Sequence, residues 1–218
     1  MSDFVTNTIT HHLEKKGESF RFQSGEVLWS QSSPAEFIFV VSTGVLKLQR
    51  QWPGGGQTIL GLINRGAIIG EEAINTNGKR NSTCTAIVSG KGFRISRQNI
   101  AALLQDKEIA LSLLQIANKR LQGTFTRMEE LLDGPVEARL ASTLLRLGGQ
   151  LGISDGRGIF IPVRLTRGEL AEFIGCRAET TTRLMTKWKR DGVVDTKREG
   201  IVIQKLDALR KIANSNNK

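Results

Sequence analysis

A chain of 218 residues can hold one large core or two small ones, and its net charge of +10 points to a polyanionic partner. The charge is uneven: residues 1–134 carry 15 Lys+Arg against 12 Asp+Glu, or +3, while residues 135–218 carry 16 against 9, or +7. The two cysteines, Cys84 and Cys176, are too few and too far apart for a disulfide framework or a Cys-x-x-Cys metal site, and no apolar run is long enough to span a membrane.

No charged segment followed by an apolar run opens the chain, so no secretory leader is expected and a reducing cytoplasm fits. Neither a basic amphipathic helix nor a lipidation signal favours a membrane surface as the polyanion. Residues 4–16 have a short helical pattern containing the only two histidines, His11 and His12. Neighbours on a helix point about 100° apart, so these two do not converge on one metal ion.

From residue 18 to 98 the pattern changes to short β-rich runs. Eight strands are expected: Phe20–Phe22, Val27–Trp29, Phe37–Ser42, Val45–Gln49, Thr58–Leu62, Ala67–Ile69, Thr83–Val88 and Phe93–Ser96. Turn signals separate them, among them Thr43-Gly44, Pro53-Gly54-Gly55-Gly56, Asn77-Gly78 and Ser89-Gly90. Strands at this spacing predict a rolled or closed β-structure.

Residues 97–133 read as helical, a short helix at Arg97–Gln105 and then a long one from about Lys107. In the long helix Ala110, Leu114, Ala117, Leu121, Thr124, Met128 and Leu131 follow alternating steps of four and three. That period builds a coiled-coil seam between two helices. The rival is an amphipathic helix packed on its own β-roll, and the two can hold on different faces. Asp133-Gly134-Pro135 then marks a hinge, with Pro at the first position of the next helix. That helix is expected over about Pro135–Gln150, followed by a Gly-rich loop at 148–158 and a strand at Ile159–Val163.

The stretch Leu165–Arg190, LTRGELAEFIGCRAETTTRLMTKWKR, reads as two short helices joined by a tight turn. Leu165, Leu170, Phe173 and Ile174 lie at helical spacing on the first, and Gly175 suits a left-handed helix end. From Arg177 the pattern restarts, with Thr181, Leu184, Met185 and Trp188 on one face. Glu179, Thr182, Arg183, Thr186 and Arg190 lie on the other. Arg can donate to O6 and N7 of guanine, Glu can accept from the cytosine amine, and Thr can do either or touch a thymine methyl. A helix so equipped and braced by another is a helix-turn-helix. Two ordinary amphipathic helices with a solvated charged face are the alternative. Beyond it, Val193–Thr196 and Ile201–Gln204 flank Lys197-Arg198-Glu199-Gly200, a hairpin with a basic tip able to rest on phosphates. A last helix, Lys205–Ala213, precedes a polar tail.

The order β-roll, long helix, hinge and winged helix-turn-helix resembles the cyclic-AMP receptor protein / fumarate-nitrate regulator (Crp/Fnr) family of bacterial transcription regulators. Its most specific motif is LTRGELAEFIGCRAETTTRLM. The resemblance implies an α+β fold: a cyclic-nucleotide-binding-like jelly roll over residues 1–106, a dimerisation helix and hinge over 107–134, and a winged helix-turn-helix over 135–218. It implies a homodimer on two-fold-related double-stranded DNA, working with RNA polymerase. It places Glu179 and Arg183 on base edges, and Thr166, Arg167 and Thr180 near phosphates. Arg177, Ala178, Thr182, Thr186, Lys187, Arg190, Lys197 and Arg198 complete the expected DNA face. The cyclic-AMP-receptor branch has Arg where this chain has Ala178. The fumarate-nitrate branch has a small apolar residue there, and Ser where this chain has Thr182. Ala cannot donate to guanine, so a half-site nearer TTGAT than TGTGA is expected.

Gly70-Glu71-x-Ala73-Ile74, then Arg80-x-Ser82-Thr83, resembles the phosphate-binding cassette of cyclic-nucleotide domains. On that resemblance Glu71 accepts from a ribose hydroxyl and Arg80 holds a phosphate. Gly70, Glu72, Ala73, Asn81, Ser82, Thr83, Arg120, Thr124 and Phe125 are the other candidate effector residues. In an ungapped match to the bacterial receptor the phosphate Arg falls on Asn81, and the Glu-to-Arg spacing fits the eukaryotic domains instead. Where the receptor offers Thr-Ser to adenine, this chain has Thr124-Phe125. A cyclic nucleotide, another effector and no effector are therefore all open readings, as is a surface ion pair between Glu71 and Arg80.

Absences narrow the other sensors. No cysteine cluster exists for an iron–sulfur centre, and no histidine follows residue 12 to ligate haem in the β-roll. No nucleophile–base set or P-loop is present, so an enzyme is not expected. A signalling subunit acting through a protein partner is the remaining rival, and the basic C-terminal part argues against it.

Overall fold

The computed structural model describes residues 16–75, 77–154, 156 and 158–215. The helical pattern expected around His11 and His12 lies outside these residues. The chain forms two compact units that meet within one helix, the first ending at Gly123 and the second beginning at Thr124.

The first unit is an antiparallel roll of β1 (Glu18–Phe22), β2 (Val27–Trp29), β3 (Phe37–Gln51), β4 (Gln57–Ile63), β5 (Ile68–Ile69) and β6 (Thr83–Ser96). The strand order is β1-β6-β3-β4, with β2 on β6 and β5 on β3. Six strands thus stand where eight are expected. Phe37–Ser42 and Val45–Gln49 are one strand, as are Thr83–Val88 and Phe93–Ser96. The glycines read as turns are bulges, where β3 and β6 shift register against each other between Val41 and Leu46. A Cβ on Gly90 would sit 2.1 Å from the Thr43 carbonyl oxygen, and one on Gly44 2.8 Å from that of Val88. Glycine serves close backbone approach here while the ribbon continues.

Alternation along β3 divides the core in two. Ile38 and Val40 point to one side, with Ile68, Ala73 and Ile95. Phe39 and Val41 point to the other, with Phe22, Trp29, Leu46, Ile69 and Cys84. The first side is closed by Ile100 and Leu103 of α1 (Arg97–Leu104) and by Ile109 of α2 (Lys107–Asp133). Fully burying each such aliphatic side chain contributes about 1.5–3 kcal/mol. Asp106 starts α2: its carboxylate accepts from the N–H groups of Glu108, at 3.0 Å, and Ile109, at 3.3 Å.

One face of this helix packs on the β-roll, and the opposite face is open. Leu113 and Ile116 follow Ile109 against the β-roll. Leu114, Leu121, Met128 and Leu131 of the expected seam are exposed, Leu114 by 66%.

The second unit contains α3 (Val136–Leu151), α4 (Arg167–Ile174), α5 (Ala178–Arg190) and α6 (Leu206–Ala213). These pack with a small sheet of β7 (Ile153–Ser154), β8 (Ile159–Ile161), β10 (Gly200–Ile203) and β9 (Val194–Lys197), in that order. Pro135 caps α3 one residue before its start. The Gly-rich loop expected at 148–158 starts later, because α3 continues through Gly148 and Gly149 to Leu151. A Cβ on Gly148 would lie 3.1 Å from Ile203 Cδ1. This glycine lets β10 pack closely on the helix, which outweighs its weak helix propensity.

Candidate functional site

Helix α4 is fixed at both ends by its own sequence. Thr166 and Glu169 form a capping box: the Thr166 hydroxyl accepts from the Glu169 N–H at 3.1 Å, and the Glu169 carboxylate accepts from the Thr166 N–H at 2.9 Å. Gly175 ends the helix at φ 62°, a left-handed conformation that glycine takes without strain. After this turn the Arg177 carbonyl accepts the first backbone bonds of α5.

On α5, Thr181, Leu184, Met185 and Trp188 are all buried. Arg177, Ala178, Glu179, Thr182, Arg183, Thr186, Lys187 and Arg190 are all exposed, and Thr180 is half-buried. Among the described residues, no protein group holds the side chains of Glu179, Arg183 or Thr186. Thr182 donates its hydroxyl to the Ala178 carbonyl at 2.9 Å. The face thus presents an acceptor and a guanidinium donor one turn apart, with hydroxyls between them. That inventory can read base edges in a major groove.

Several residues set this helix in place that the sequence pattern does not single out. The Thr181 hydroxyl lies 2.8 Å from the carbonyls of both Arg167 and Ala178, so α5 is tied to the start of α4. Glu137 Oε1 accepts from the Trp188 indole N–H and the Lys187 ammonium, both at 3.0 Å. Lys187 is therefore held toward α3. Arg127, on the C-terminal part of α2, donates to the Phe173 carbonyl at 3.3 Å and lies over the Phe173 ring. Burial chiefly, then the nearby Arg146 charge, brings its pKa down to about 10. The Trp188 and Thr181 polar groups had a signal, since a buried indole or hydroxyl needs a partner. The identity of the partner had none.

Arg167 and the wing cations are also engaged. Arg167 is half-buried and donates to Thr196 Oγ1 on β9 at 3.0 Å, with Nη1 left unpartnered among the described residues. It braces the wing against α4, and desolvation lowers its pKa. Lys197 and Arg198, at the hairpin tip, are exposed. Asp195 bonds Lys197 Nζ at 2.5 Å and Lys189 Nζ at 3.4 Å. The Lys197 hydrogen bond, more than any other contact, holds the Asp195 carboxyl below its ordinary range. Cys176, in the turn, is partly buried and its thiol is raised by desolvation.

The cassette of the first unit is arranged differently. Gly70 has φ 85° and starts a 3-10 turn, Glu71–Ile74, in which Ala73 is wholly buried. A Cβ at Gly70 would fall 2.4 Å from Arg80 Nη1. The Arg80 side chain is turned inward and fully enclosed. It donates to the carbonyls of Gly70 at 3.1 Å and Phe37 at 2.6 Å, and its guanidinium lies 4.2 Å from the centre of the Trp29 ring. Burial lowers its pKa despite the nearby Glu72. The carboxylate it meets is Glu72, at 3.5 Å, not Glu71. Glu71 pairs instead with Arg120 on α2. A surface ion pair of Glu71 with Arg80 is therefore not what forms. Ser82 is buried, Asn81 is exposed, and Thr83 Oγ1 accepts from the Gln31 N–H at 3.0 Å. Thr124 and Phe125 are exposed on α2. Among the described residues no cluster of His, Cys, Asp or Glu could hold a metal ion, and no helix is long and apolar enough to cross a membrane.

Comparison with known proteins agrees with this geometry in both units. Residues 138–212 match the Crp-like helix-turn-helix domain, and residues 19–107 match the cyclic nucleotide-binding domain. The chain is 24% identical over 202 residues to the CRP-like cAMP-activated global transcriptional regulator of Mycobacterium tuberculosis, covering 92% of this chain and 90% of that one. It is 22% identical to the anaerobic regulatory protein of Bacillus subtilis, covering 96% and 89%. Among solved structures, the c-di-GMP-responsive global regulator CLP of Xanthomonas campestris superposes with a TM-score of 0.76 at 20% identity, covering 90% of this chain and 98% of that chain. With a DNA-binding helix-turn-helix behind a cyclic-nucleotide-type β-roll, this chain belongs to the Crp/Fnr family of transcription regulators.

Proposed function

We propose that the chain acts as a cytoplasmic homodimer that reads a two-fold-related DNA site and works with RNA polymerase. The observation that carries the reading is the division of α5, with four residues buried and Glu179, Arg183 and Thr186 exposed and unheld. Pairing of two chains is supported by the exposed stripe Leu114, Leu121, Met128 and Leu131, which repeats at coiled-coil spacing. The division into β-roll to residue 106, dimer helix to 134 and DNA-binding domain beyond, with a hinge at 133–135, belongs to the same proposal. So does a half-site nearer TTGAT than TGTGA, since Ala178 stands exposed where a donor would read guanine.

A nucleotide-type effector in the β-roll is supported by the match over residues 19–107. It would act by binding the DNA-competent state more tightly than the other. The inward, occupied guanidinium of Arg80 favours a second reading, a regulator competent without effector. Random-site selection with the purified chain, with its mass in solution measured in parallel, tests the proposal. A palindromic TTGAT-type consensus bound by a dimer is expected. A TGTGA consensus would overturn the half-site, and a strict monomer blind to palindromes would overturn the whole reading.

A further inference from the structure

The two adjacent carboxylates of the 3-10 turn serve opposite directions. Glu71 reaches Arg120 on α2, whose guanidinium also donates to the Ile68 carbonyl at 2.5 Å. Glu72 reaches inward. Its Oε1 accepts from the Asn81 backbone N–H at 3.1 Å, and its Oε2 lies 3.5 Å from Arg80 Nη1. A guanidinium and a backbone N–H converging on one pair of oxygens is a donor set for an oxyanion. Here the oxyanion is part of the chain.

The burial of the two partners is unequal. The Arg80 side chain has no exposure and its Nε has no partner among the described residues. Two carbonyls and two aromatic rings fix it, so it cannot swing out to meet water. A cation so enclosed requires a counter-charge. Glu72 keeps 16% exposure, so it stands at the mouth of the site and can leave.

We infer that Glu72 is a built-in counter-anion that fills the oxyanion subsite of the cassette, and that a phosphate or phosphodiester ligand enters only by displacing it. The inference rests on the effector reading of the β-roll and gives that site its regulation. A tethered carboxylate competes at an effective concentration of about millimolar or more. Ligand affinity is reduced by the ratio of closed to open subsite that the tether sets, while the unliganded roll keeps its buried arginine neutralised. Glu71 follows from the same turn, so displacement of Glu72 is felt at Arg120 on α2.

The test compares the full-length wild type with Glu72→Gln and Glu72→Asp. Gln keeps the acceptor for the Asn81 N–H but removes the charge. Asp keeps the charge but withdraws it by one methylene. Each is melted in anion-poor buffer and titrated with inorganic phosphate and, separately, with cyclic AMP, with calorimetry alongside. Glu72→Gln is expected to melt lower than wild type and to recover with added phosphate. Its affinity for the anion should exceed that of wild type by about ten-fold or more. Glu72→Asp should lie between the two, and it carries the test where the Gln variant does not fold. Gain for both ligands, or for either alone, upholds the inference and says whether free phosphate or the nucleotide is the better occupant. A folded Glu72 variant that binds neither inorganic phosphate nor cyclic AMP more tightly than wild type overturns it. A palindromic DNA-binding assay run on wild type separates the two proposals. Its failure removes the DNA reading and leaves the Glu72 result standing.

Discussion

The exposed face of α5 and the cassette of the β-roll use the same side chain in opposite ways. On α5, Arg183 projects into solvent with no protein group holding it among the described residues. In the cassette, Arg80 is enclosed by two carbonyls, Glu72 and the rings of Trp29 and Phe37. An arginine of the first kind is open to a partner outside the chain, and its removal should leave the fold intact. One of the second kind already has its partners, and its removal costs the fold. Residue type separates neither; solvation does.

The sharpest break of that contrast is Arg80→Met. It leaves the carbonyls of Gly70 and Phe37 without their guanidinium donor, at about 1–3 kcal/mol for each buried group left unsatisfied. Denaturant unfolding of the first unit should show it. An unchanged midpoint would make Arg80 dispensable. Next is Arg183→Ala, expected to cost about 1–3 kcal/mol in binding and to relax one base position without lowering thermal stability. Equal losses on specific and random DNA would refute its role at a base edge.

Smaller effects belong to the wing. Asp195→Asn releases Lys197 and Lys189 toward phosphate, so affinity for all sequences should rise and its salt dependence steepen. The Asp195 carboxyl lies below its ordinary range in the folded chain. Its stabilising contribution is therefore full above the ordinary carboxylate pKa and is lost as pH falls through the lowered value. The Asn variant should lack that acid-side dependence in a series of melts. Lys197→Ala should act in the reverse sense, lowering the salt slope by about one at most. The smallest effect concerns the thiols. Cys84 is buried and its thiol is pushed up to about 12 by desolvation, so a thiol reagent should label Cys176 alone until the chain unfolds.

Much of the architecture was legible because it rests on period. The four buried and the exposed positions of α5 follow from spacing alone, as do the two faces of α2. The Gly175 helix end was legible as local chemistry. The strand count was not. Glycine in Thr43-Gly44 and Ser89-Gly90 reads as a turn when seen along the chain, whereas its role is to let two strands cross closely. Gly148 misleads in the same way, because its neighbour Ile203 is distant in sequence. In the cassette, the resemblance to cyclic-nucleotide domains marked Arg80 and Glu71 as candidates. It could not tell which carboxylate the guanidinium meets or whether it faces inward, since these depend on the rings and carbonyls of β2 and β3. Glu137 and Asp195, which hold Lys187 and Lys197, were invisible for the same reason.

The burial of Trp188 against Glu137 also gives the molecule its own optical label. The chain has no tyrosine and three tryptophans, Trp29, Trp52 and Trp188. Trp188 is the sole indole of the second unit, and Trp29 lies under the Arg80 guanidinium in the first. With Trp52, which is exposed, and one of the other two replaced by Phe, the emission that remains reports on the cassette through Trp29 or on α5 through Trp188. Whether a ligand at the first is felt at the second can then be read as light from the native residues, with no dye attached.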